Sequence, residues 1–390
     1  MRKVWPGLLL LFFGTAAHAN PMWHADGKRL VDGSGTSVHI RGVNLGNWLL
    51  WEGWMFGGNY TASESVIYGK LNEVLGPEKA AEFRARYYDA YITEADIAAI
   101  ANAGFNTIRL PINARLLTGD GAGFRYIDRL LGWAGAHGLH VILDLHAVPG
   151  GQSNTHPADP PAGGAMLWKD EADQAQLVAI WSALAARYRN SETVAGYDLI
   201  NEPDAPDAAT LLDIYRRLIA SIRAVDPQHI IWLEGNKLGA VLKIFTAPMG
   251  ENIGYSSHIY IYFGDYRAVQ LRGASAFSAR LNAPVWVGEF GEDNADTTAT
   301  TVAMMDKTDG VIGWAFWTWK RAPGSPSLCV CVFTPPPEWS KVVGWLTDAP
   351  FASRPSQADV AAGAEAFLKA VTFDRCTLNQ HVIDALIKTP

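Results

Sequence analysis

Eight short segments rich in β-branched and aromatic residues recur along this chain, and stretches with helical periodicity separate them. Turn-forming residues end each segment, as is typical of buried strands. The segments are residues 38–46, 105–113, 140–148, 194–202, 229–235, 253–261, 284–291 and 311–319. Strands that alternate with helices form parallel sheets through right-handed crossovers, and eight such units close a barrel. The pattern predicts an α/β fold, a single (β/α)8 TIM barrel.

Two of the intervening segments show the helical pattern most clearly. In residues 171–190 and 208–225, apolar side chains recur every three or four positions and share one face. An open doubly wound sheet is the alternative, but it would require a glycine-rich phosphate loop after an early strand, which the sequence lacks. The tail, residues 356–390, is expected to add one or two helices that pack on the barrel.

The N-terminus has the three parts of a secretory signal peptide. A basic start at residues 1–3 is followed by an apolar run at 8–13 and by the small-x-small cleavage pattern Ala17-His18-Ala19. The apolar run is too short to span a bilayer. We therefore expect a signal peptide at 1–19, a single domain at 20–390, and a secreted or periplasmic protein.

Charge and cysteine content narrow the range of partners. The net charge is −7 and basic runs are absent, which argues against nucleic acid or an anionic membrane as partner. Three cysteines do not form a disulfide framework, but Cys329 or Cys331 could pair with Cys376 in an exported protein. Their spacing is not that of a zinc site. We expect a monomer.

Polar residues collect at one end of the predicted strands. They fall in the C-terminal half of a strand or just beyond it, and all such ends open on the same rim of a parallel barrel, where active sites are built. These residues are Arg109, His146, Asn201, Glu202, His258, Tyr260, Glu289 and Trp317.

Two carboxylates on that rim suit the hydrolysis of glycosidic bonds. Glu202 ends the fourth predicted strand and Glu289 lies at the end of the seventh. Such a pair can protonate the leaving oxygen and attack the anomeric carbon or activate water. Glu234, at the end of the fifth strand, ranks third for either role. The 15 tryptophans of the chain include a surplus that suits stacking on sugar rings.

The histidines do not form a metal-binding pattern. His140 and His146 are six residues apart, whereas a metal-dependent barrel hydrolase would need ligands clustered as His-x-His on an early strand. His140, His156 and His229 are interpreted as hydrogen-bonded structural residues. Neither a metal nor another cofactor is expected.

The ordered motifs NTIRLPI, DLH, NEP, HIY, GEFG and FWTWK resemble those of the retaining glycoside hydrolases of family 5, the cellulase-like barrels of clan A. The resemblance implies an oligo- or polysaccharide substrate, Glu202 as acid/base and Glu289 as nucleophile. It also implies supporting roles for a further set of residues. These are Arg109 (which would lower the pKa of Glu289), Asn201 (the sugar 2-hydroxyl), His146, His258, Tyr260 and Trp317 (the floor of the −1 subsite).

The stretch RGVNLGNWLLWEGWM at 41–55 is similar to the exo-β-1,3-glucanase branch of that family, where a glutamate at the position of Glu52 binds the terminal glucose. A loop at 149–170 could wall off one side of the cleft. The branch pattern ends after Trp319, where this chain reads Lys320-Arg321-Ala322. Alternatives are an endo-β-1,4-glucanase or mannanase, a glycoceramidase-like hydrolase, a transglycosylase, or a sugar-binding barrel without catalysis.

Overall fold

The computed structural model describes residues 22–58, 60–119, 121–261, 264–324 and 328–388. The predicted signal peptide at 1–19 lies outside the described residues. A small antiparallel sheet of β1 (His24–Asp26), β2 (Arg29–Val31) and β3 (Ser37–Val38) precedes the main body. Trp23, beside this sheet, packs in an apolar cluster with Trp232 and Trp286 of the barrel wall, so the N-terminal segment is part of the core.

Eight parallel strands form a closed barrel in sequence order, so the predicted fold is confirmed. Every predicted strand segment contains one barrel strand. The strands are β4 (Ile40–Asn44), β5 (Thr107–Asn113), β6 (His140–Ala147), β7 (Val194–Asp198), β8 (Ile231–Glu234), β9 (Ile253–Ile259), β10 (Val285–Phe290) and β11 (Val311–Phe316). The barrel closes where β11 pairs with β4.

Helices surround the barrel and carry its crossovers. In α5 and α6 the residues buried against the barrel are those of the predicted apolar faces, including Trp181 and Tyr215. The α-helices of the described residues are α1 (Glu64–Leu75), α2 (Pro77–Tyr91), α3 (Glu94–Ala103), α4 (Gly123–Ala136), α5 (Glu171–Tyr188), α6 (Ala208–Arg223), α7 (Arg267–Leu281), α8 (Ala295–Asp306), α9 (Pro337–Ser340), α10 (Val343–Leu346), α11 (Gln357–Ala370) and α12 (Gln380–Ile387).

The segment after the barrel forms a second small sheet that attaches the tail. It consists of β12 (Lys320–Arg321), β13 (Cys331–Phe333) and β14 (Cys376–Leu378). A disulfide joins Cys331 to Cys376, with 5.7 Å between their Cα atoms, and Cys329 is a buried free thiol. The two helices expected in the tail are α11 and α12. Of the two possible disulfides, the structure contains the one from Cys331.

Two predicted strand positions need correction. β7 ends at Asp198, four residues before Glu202. Glu202 has a left-handed backbone with a φ of 44°, so it belongs to the loop after the strand and not to the strand itself. Arg109 is the third of seven residues in β5, so it lies in the N-terminal half of its strand and is fully buried. Its long side chain reaches the rim from below.

No helix within the described ranges combines the length and the apolar character needed to cross a membrane.

Candidate active site

Arg109 lies at the centre of the site, with its guanidinium shared among carboxylates from several strands. Its Nη1 donates to Glu289 Oε1 at 2.6 Å and its Nε to Asp198 Oδ2 at 2.9 Å. Glu234 Oε1 and Asp144 Oδ2 lie 3.1 and 3.2 Å from Nη2. A planar guanidinium with five donors can hold several oxygens in fixed directions at once. Arg109 therefore orients both Glu289 and the groups around it.

Glu289 projects from β10 into the barrel mouth and is 4% exposed. Besides the Arg109 bond, its Oε2 accepts a hydrogen bond from the Tyr260 hydroxyl at 2.9 Å. Burial raises the pKa of Glu289, while the nearby charges of His258, Arg109 and His146 oppose that rise. These neighbours stabilise the ionised carboxylate, and two strong donors fix its direction.

Glu202 lies in the loop after β7 and is more accessible than Glu289. Its left-handed backbone is held by a hydrogen bond from its own N–H to Glu234 Oε2 at 2.8 Å. His258 Nδ1 lies 2.9 Å from Glu202 Oε1, and His258 Nε2 lies 3.1 Å from Glu234 Oε1. Burial alone would lower the pKa of His258, but Glu234, Glu289 and Glu202 raise it well above its usual range. His258 thus lies between carboxylates that favour its protonated form.

Glu234 supports this arrangement from below the cavity. Its side chain is fully buried, and both of its oxygens are used by Arg109, His258 and the backbone of Glu202. It is absent from the residues that line the cavity. The carboxylate that ranked third in the sequence is therefore a positioning residue.

Asn201, His146 and Trp317 form one side of the site. Arg109 Nη2 donates to Asn201 Oδ1 at 2.9 Å, which leaves the amide nitrogen of Asn201 near His146 Nε2, at 3.3 Å. The His146 ring stacks on Trp317 with 5.3 Å between ring centroids. Burial alone would lower the pKa of His146, but Asp144, 2.7 Å from its Nδ1, raises it.

Gln152 is a positioning residue that the sequence analysis did not identify. Its Nε2 donates to the carbonyl oxygens of His146, at 2.7 Å, and Asn201, at 2.8 Å. Gln152 is fully buried, and these two hydrogen bonds link the end of β6 to the segment that follows β7. The signal available in the sequence was its place in the DLHAVPGGQ motif, but only the fold shows which carbonyls it reaches.

Glu52, His156 and Trp54 form a hydrogen-bonded group in the cavity wall. Glu52 Oε2 is 2.9 Å from both His156 Nε2 and Trp54 Nε1. Burial alone would raise the pKa of Glu52, but His156 outweighs it and lowers the pKa. Glu52 Oε1 is buried and has no hydrogen-bond partner among the described residues. The interpretation of His156 as a structural core residue was wrong, because it lines the cavity.

Four other histidines and tryptophans considered in the sequence lie outside the cavity wall and pack within the fold. His229 is buried against Asp226 and Tyr197, and His140 stacks on the ring of Trp23. Trp48 and Trp51 are fully buried. Of the three tryptophans at 48, 51 and 54, only the last lines the cavity.

These residues surround one cavity of about 940 Å³ on the C-terminal rim of the barrel. The eight rim residues of the sequence prediction and Glu52 all lie in its wall or directly beneath it. One carboxylate oxygen of Glu202, one of Glu289 and one imidazole nitrogen of His258 all lie within 4.8 Å of one another. A cation could bind at such a distance. However, Glu289 is already paired with Arg109 and Glu202 with His258.

A parallel eight-stranded barrel with two close carboxyls at its rim, an arginine beneath one of them and stacked aromatic rings beside them is the architecture of a barrel glycoside hydrolase. Comparison with known proteins agrees. The family model Cellulase (glycosyl hydrolase family 5) matches residues 72–323. The chain belongs to glycoside hydrolase family 5 and is an O-glycosyl hydrolase with an oligo- or polysaccharide substrate.

Two similar proteins carry different glycosidase names. A protein named beta-xylosidase from Phanerodontia chrysosporium is 34% identical over 61% of this chain, but the chain spans only about half (52%) of that relative. A protein named probable glucan 1,3-beta-glucosidase A from Aspergillus clavatus is 27% identical, with 73% of this chain and 84% of the relative covered.

Solved structures share the fold at lower identity. The rutinosidase from Aspergillus niger has a TM-score of 0.64 and 19% identity, with 75% of this chain and 92% of that chain covered. Endoglucanase Cel5A from Thermotoga maritima has a TM-score of 0.57 and 17% identity, with 89% and 97% covered. These structural similarities show that the chain shares the barrel fold, and they do not identify its substrate.

Proposed function

We propose that the enzyme is a retaining exo-β-glucosidase that removes single glucose units from β-1,3-linked glucans, with Glu289 as nucleophile and Glu202 as acid/base. The observation that carries the mechanism is the proximity of oxygens of these two carboxyls, within 4.8 Å. Retaining enzymes place their carboxyls about 5–5.5 Å apart, whereas inverting enzymes leave room for a water, at about 6.5–9.5 Å.

In the first step Glu202 donates its proton to the glycosidic oxygen while Glu289 attacks the anomeric carbon. The bond to the leaving group breaks, the leaving group departs as an alcohol, and the sugar becomes an ester of Glu289. Arg109 and Tyr260 donate to separate oxygens of Glu289 and so hold the attacking oxygen in position. In this proposal Asn201 binds the sugar 2-hydroxyl and Trp317 forms the floor below the ring.

In the second step Glu202, now a carboxylate, takes a proton from water, and the resulting hydroxide displaces Glu289. The anomeric carbon inverts twice, so its configuration is retained. Esterification removes the negative charge of Glu289, which lowers repulsion on Glu202 as it becomes ionised. His258, bonded to Glu202 at 2.9 Å, stabilises the ionised form.

Exo action is supported by Glu52 and its neighbours in the cavity wall. Glu52 presents a buried carboxylate oxygen without a partner among the described residues, and such an oxygen is a strong acceptor for sugar hydroxyls. His156, Thr155 and Pro157, from the loop predicted to wall off the cleft, also line the cavity. In this proposal the Glu52–His156 pair binds the hydroxyls of a chain end and blocks the further course of a polysaccharide.

The sequence pattern at 1–19 supports export of a mature single-domain protein that begins near residue 20. A monomer with no nucleic-acid or membrane partner and no cofactor is part of the same proposal, because the net charge of −7 disfavours polyanions and the mechanism uses only side chains.

The test is a product time course on laminari-, cello- and mannooligosaccharides and aryl β-xylosides, with the anomer of the first product read by NMR. We expect single β-glucose from β-1,3 chains. Glu202→Gln and Glu289→Gln should each lower kcat/KM on unactivated substrates by about 10³-fold or more, since each removes an acid or a nucleophile. Exposed Glu251→Gln is the matched control and should retain full activity.

Other outcomes would redirect the proposal in distinct ways. Mid-chain products would indicate an open-cleft endo-hydrolase, and xylose as the preferred product would follow the name of the 34% identical relative. An α-configured first product would exclude the retaining mechanism. Full activity of either glutamine variant would overturn the catalytic assignment.

A further inference from the structure

The cavity wall contains both polar and apolar groups. Glu52 and His156 present a carboxylate and an imidazole, as expected for a wall that binds sugar hydroxyls. Leu238 and Ala240, from the loop after β8, add apolar surface to the lining. Leu238 is 38% exposed, which makes it one of the few large apolar side chains on the described surface with that much exposure.

The loop that carries Leu238 is rigidly held. Lys237, Leu238 and Gly239 all have left-handed backbones, with φ values of 57°, 57° and 77°. A Cβ at Gly239 would lie 3.1 Å from Glu234 Oε2 and 3.4 Å from His258 Cγ, so the backbone here packs directly on the groups that support the carboxylates. Two backbone bridges, Gly235 to Gly239 and Asn236 to Val241, close the loop.

This loop is joined to the segment that follows Glu202. The Leu238 N–H donates to Pro203 O at 3.1 Å, and Lys237 Nζ donates to Asp204 Oδ1 at 2.7 Å. Asn236 and Ala205 also exchange hydrogen bonds. Leu238 is therefore fixed next to the acid/base loop, and the Lys237 ammonium is paired with a carboxylate.

An acid/base must face the glycosidic oxygen, so the leaving group lies on the Glu202 side of the sugar. We propose that this leaving-group subsite accepts an apolar aglycone, an alkyl or aryl alcohol, which packs on Leu238 and Ala240. The inference rests on the proposed function, because it uses Glu202 as the acid. It adds a substrate class, namely β-glucosides of apolar alcohols, to the glucan ends.

A homologous series of alkyl β-D-glucosides, from methyl to hexyl, tests this subsite. The alcohols released from all members have similar pKa values, so the glycosidic bond breaks equally easily in each. Differences in kcat/KM therefore report contacts between the alkyl group and the protein. We expect kcat/KM to rise about twofold per methylene, since a fully buried methylene is worth about fourfold and Leu238 provides one wall only.

The variant Leu238→Asn keeps the size of the side chain and removes its apolar surface. We expect it to flatten the alkyl series, because the added methylenes no longer meet an apolar wall. Leu378→Asn is the matched control, because Leu378 is 41% exposed and lies outside the cavity. The control should show the same slope as the parent enzyme.

The outcomes separate this inference from the proposed function. A flat series in the parent enzyme, or an equal slope in Leu238→Asn, overturns the apolar subsite and leaves the glucosidase intact. Full hydrolysis of hexyl β-glucoside by Glu202→Gln overturns the proposed function itself. A slope that Leu238→Asn abolishes and Leu378→Asn retains supports both.

Discussion

At the scale of single residues, the site is a cluster of buried charges that stabilise one another. Around the Arg109 guanidinium lie four carboxyls with side chains at most 6% exposed, from Asp144, Asp198, Glu234 and Glu289. Burial raises the pKa of Asp198 well above its usual range, and the charge of Arg109 opposes that rise. Attraction between Arg109 and these carboxyls offsets the free-energy cost of burying their charges. This favours the anionic form of Glu289.

Glu64 is a buried carboxyl that should make stability depend on pH. Burial and the charge of Asp159 raise its pKa to about 7, and its oxygens accept from Tyr88, Asn113 and the N–H of Trp51. A raised carboxyl pKa means that the folded state binds the extra proton, so stability is lost as the pH rises from about 4.5 through 7.

We therefore expect Glu64→Gln to be more stable than the parent at pH 8, by an amount on the order of 1–3 kcal/mol, and to differ little from it at pH 5. Urea unfolding at the two pH values measures this. A larger stabilisation at pH 5 than at pH 8 would contradict the assigned direction. Exposed Glu251→Gln serves as the control, with no change expected at either pH.

At the scale of elements, the segment after β11 is where this chain departs from the exo-glucanase pattern, and the structure shows what the departure does. Lys320 is fully buried, with its Nζ 2.5 Å from Asp96 Oδ1 and 2.6 Å from Tyr91 O. Arg321 lies over the Trp54 ring, 5.0 Å from its centroid. Lys320, which the pattern shares, attaches β12 to α3, and Arg321, at which the chain departs from the pattern, packs on Trp54 of the cavity wall.

Asp96 links three elements, because it caps α3 with Thr93, pairs with Lys320 and accepts from Trp319 Nε1. Asp96→Ala should destabilise the protein by about 3–5 kcal/mol, since it leaves a buried cation without its partner. Lys320→Met should cost less, and the double variant less than the sum of the two.

Denaturant unfolding of these variants in a double-mutant cycle provides the measurement. The exposed pair of Asp384 and Lys388, 2.9 Å apart, is the control, and Asp384→Ala should change stability by less than about 1 kcal/mol. Strict additivity of the Asp96 and Lys320 variants would show that the buried pair does not interact.

At the scale of the whole molecule, the C-terminal tail is tied to the barrel by covalent and non-covalent contacts. β14 pairs with β13 next to the Cys331–Cys376 disulfide, and Asn379 N–H donates to Val330 O. Phe367 of α11 packs on Trp339 and Phe333. The tail is thus part of the folded body and not an appendage.

The double variant Cys331→Ala/Cys376→Ala should lose about 2–5 kcal/mol of stability, since the bond closes a loop with a sequence separation of 45 residues. Activity at low temperature should persist, because none of the tail residues described up to 388 lines the cavity. Non-reducing peptide mapping checks the pairing, and Cys329→Ala should leave the linked peptide unchanged. A linked peptide from Cys329 would contradict the structure.

The sequence by itself determined the barrel and most of the rim. Eight buried strands alternate with amphipathic helices, and a parallel barrel places all strand ends on one rim, so the pattern predicts the rim to which Glu289 belongs. Arg109, in the N-terminal half of its strand, and Glu202, in the loop beyond its strand, reach the same site for reasons that only the structure shows. The family motifs then indicated a role for each. Each motif consists of a few neighbouring residues, so it can be recognised in the sequence without a structure.

Only the tertiary structure decided which loop residues enter the cavity. His156 and Leu238 lie in irregular segments whose direction depends on contacts with Glu52 and Pro203, residues that are distant in sequence. The same holds for Gln152 and for the pairing of Cys331 in preference to Cys329. Loop conformation is set by long-range hydrogen bonds and packing, which no short-range periodicity encodes.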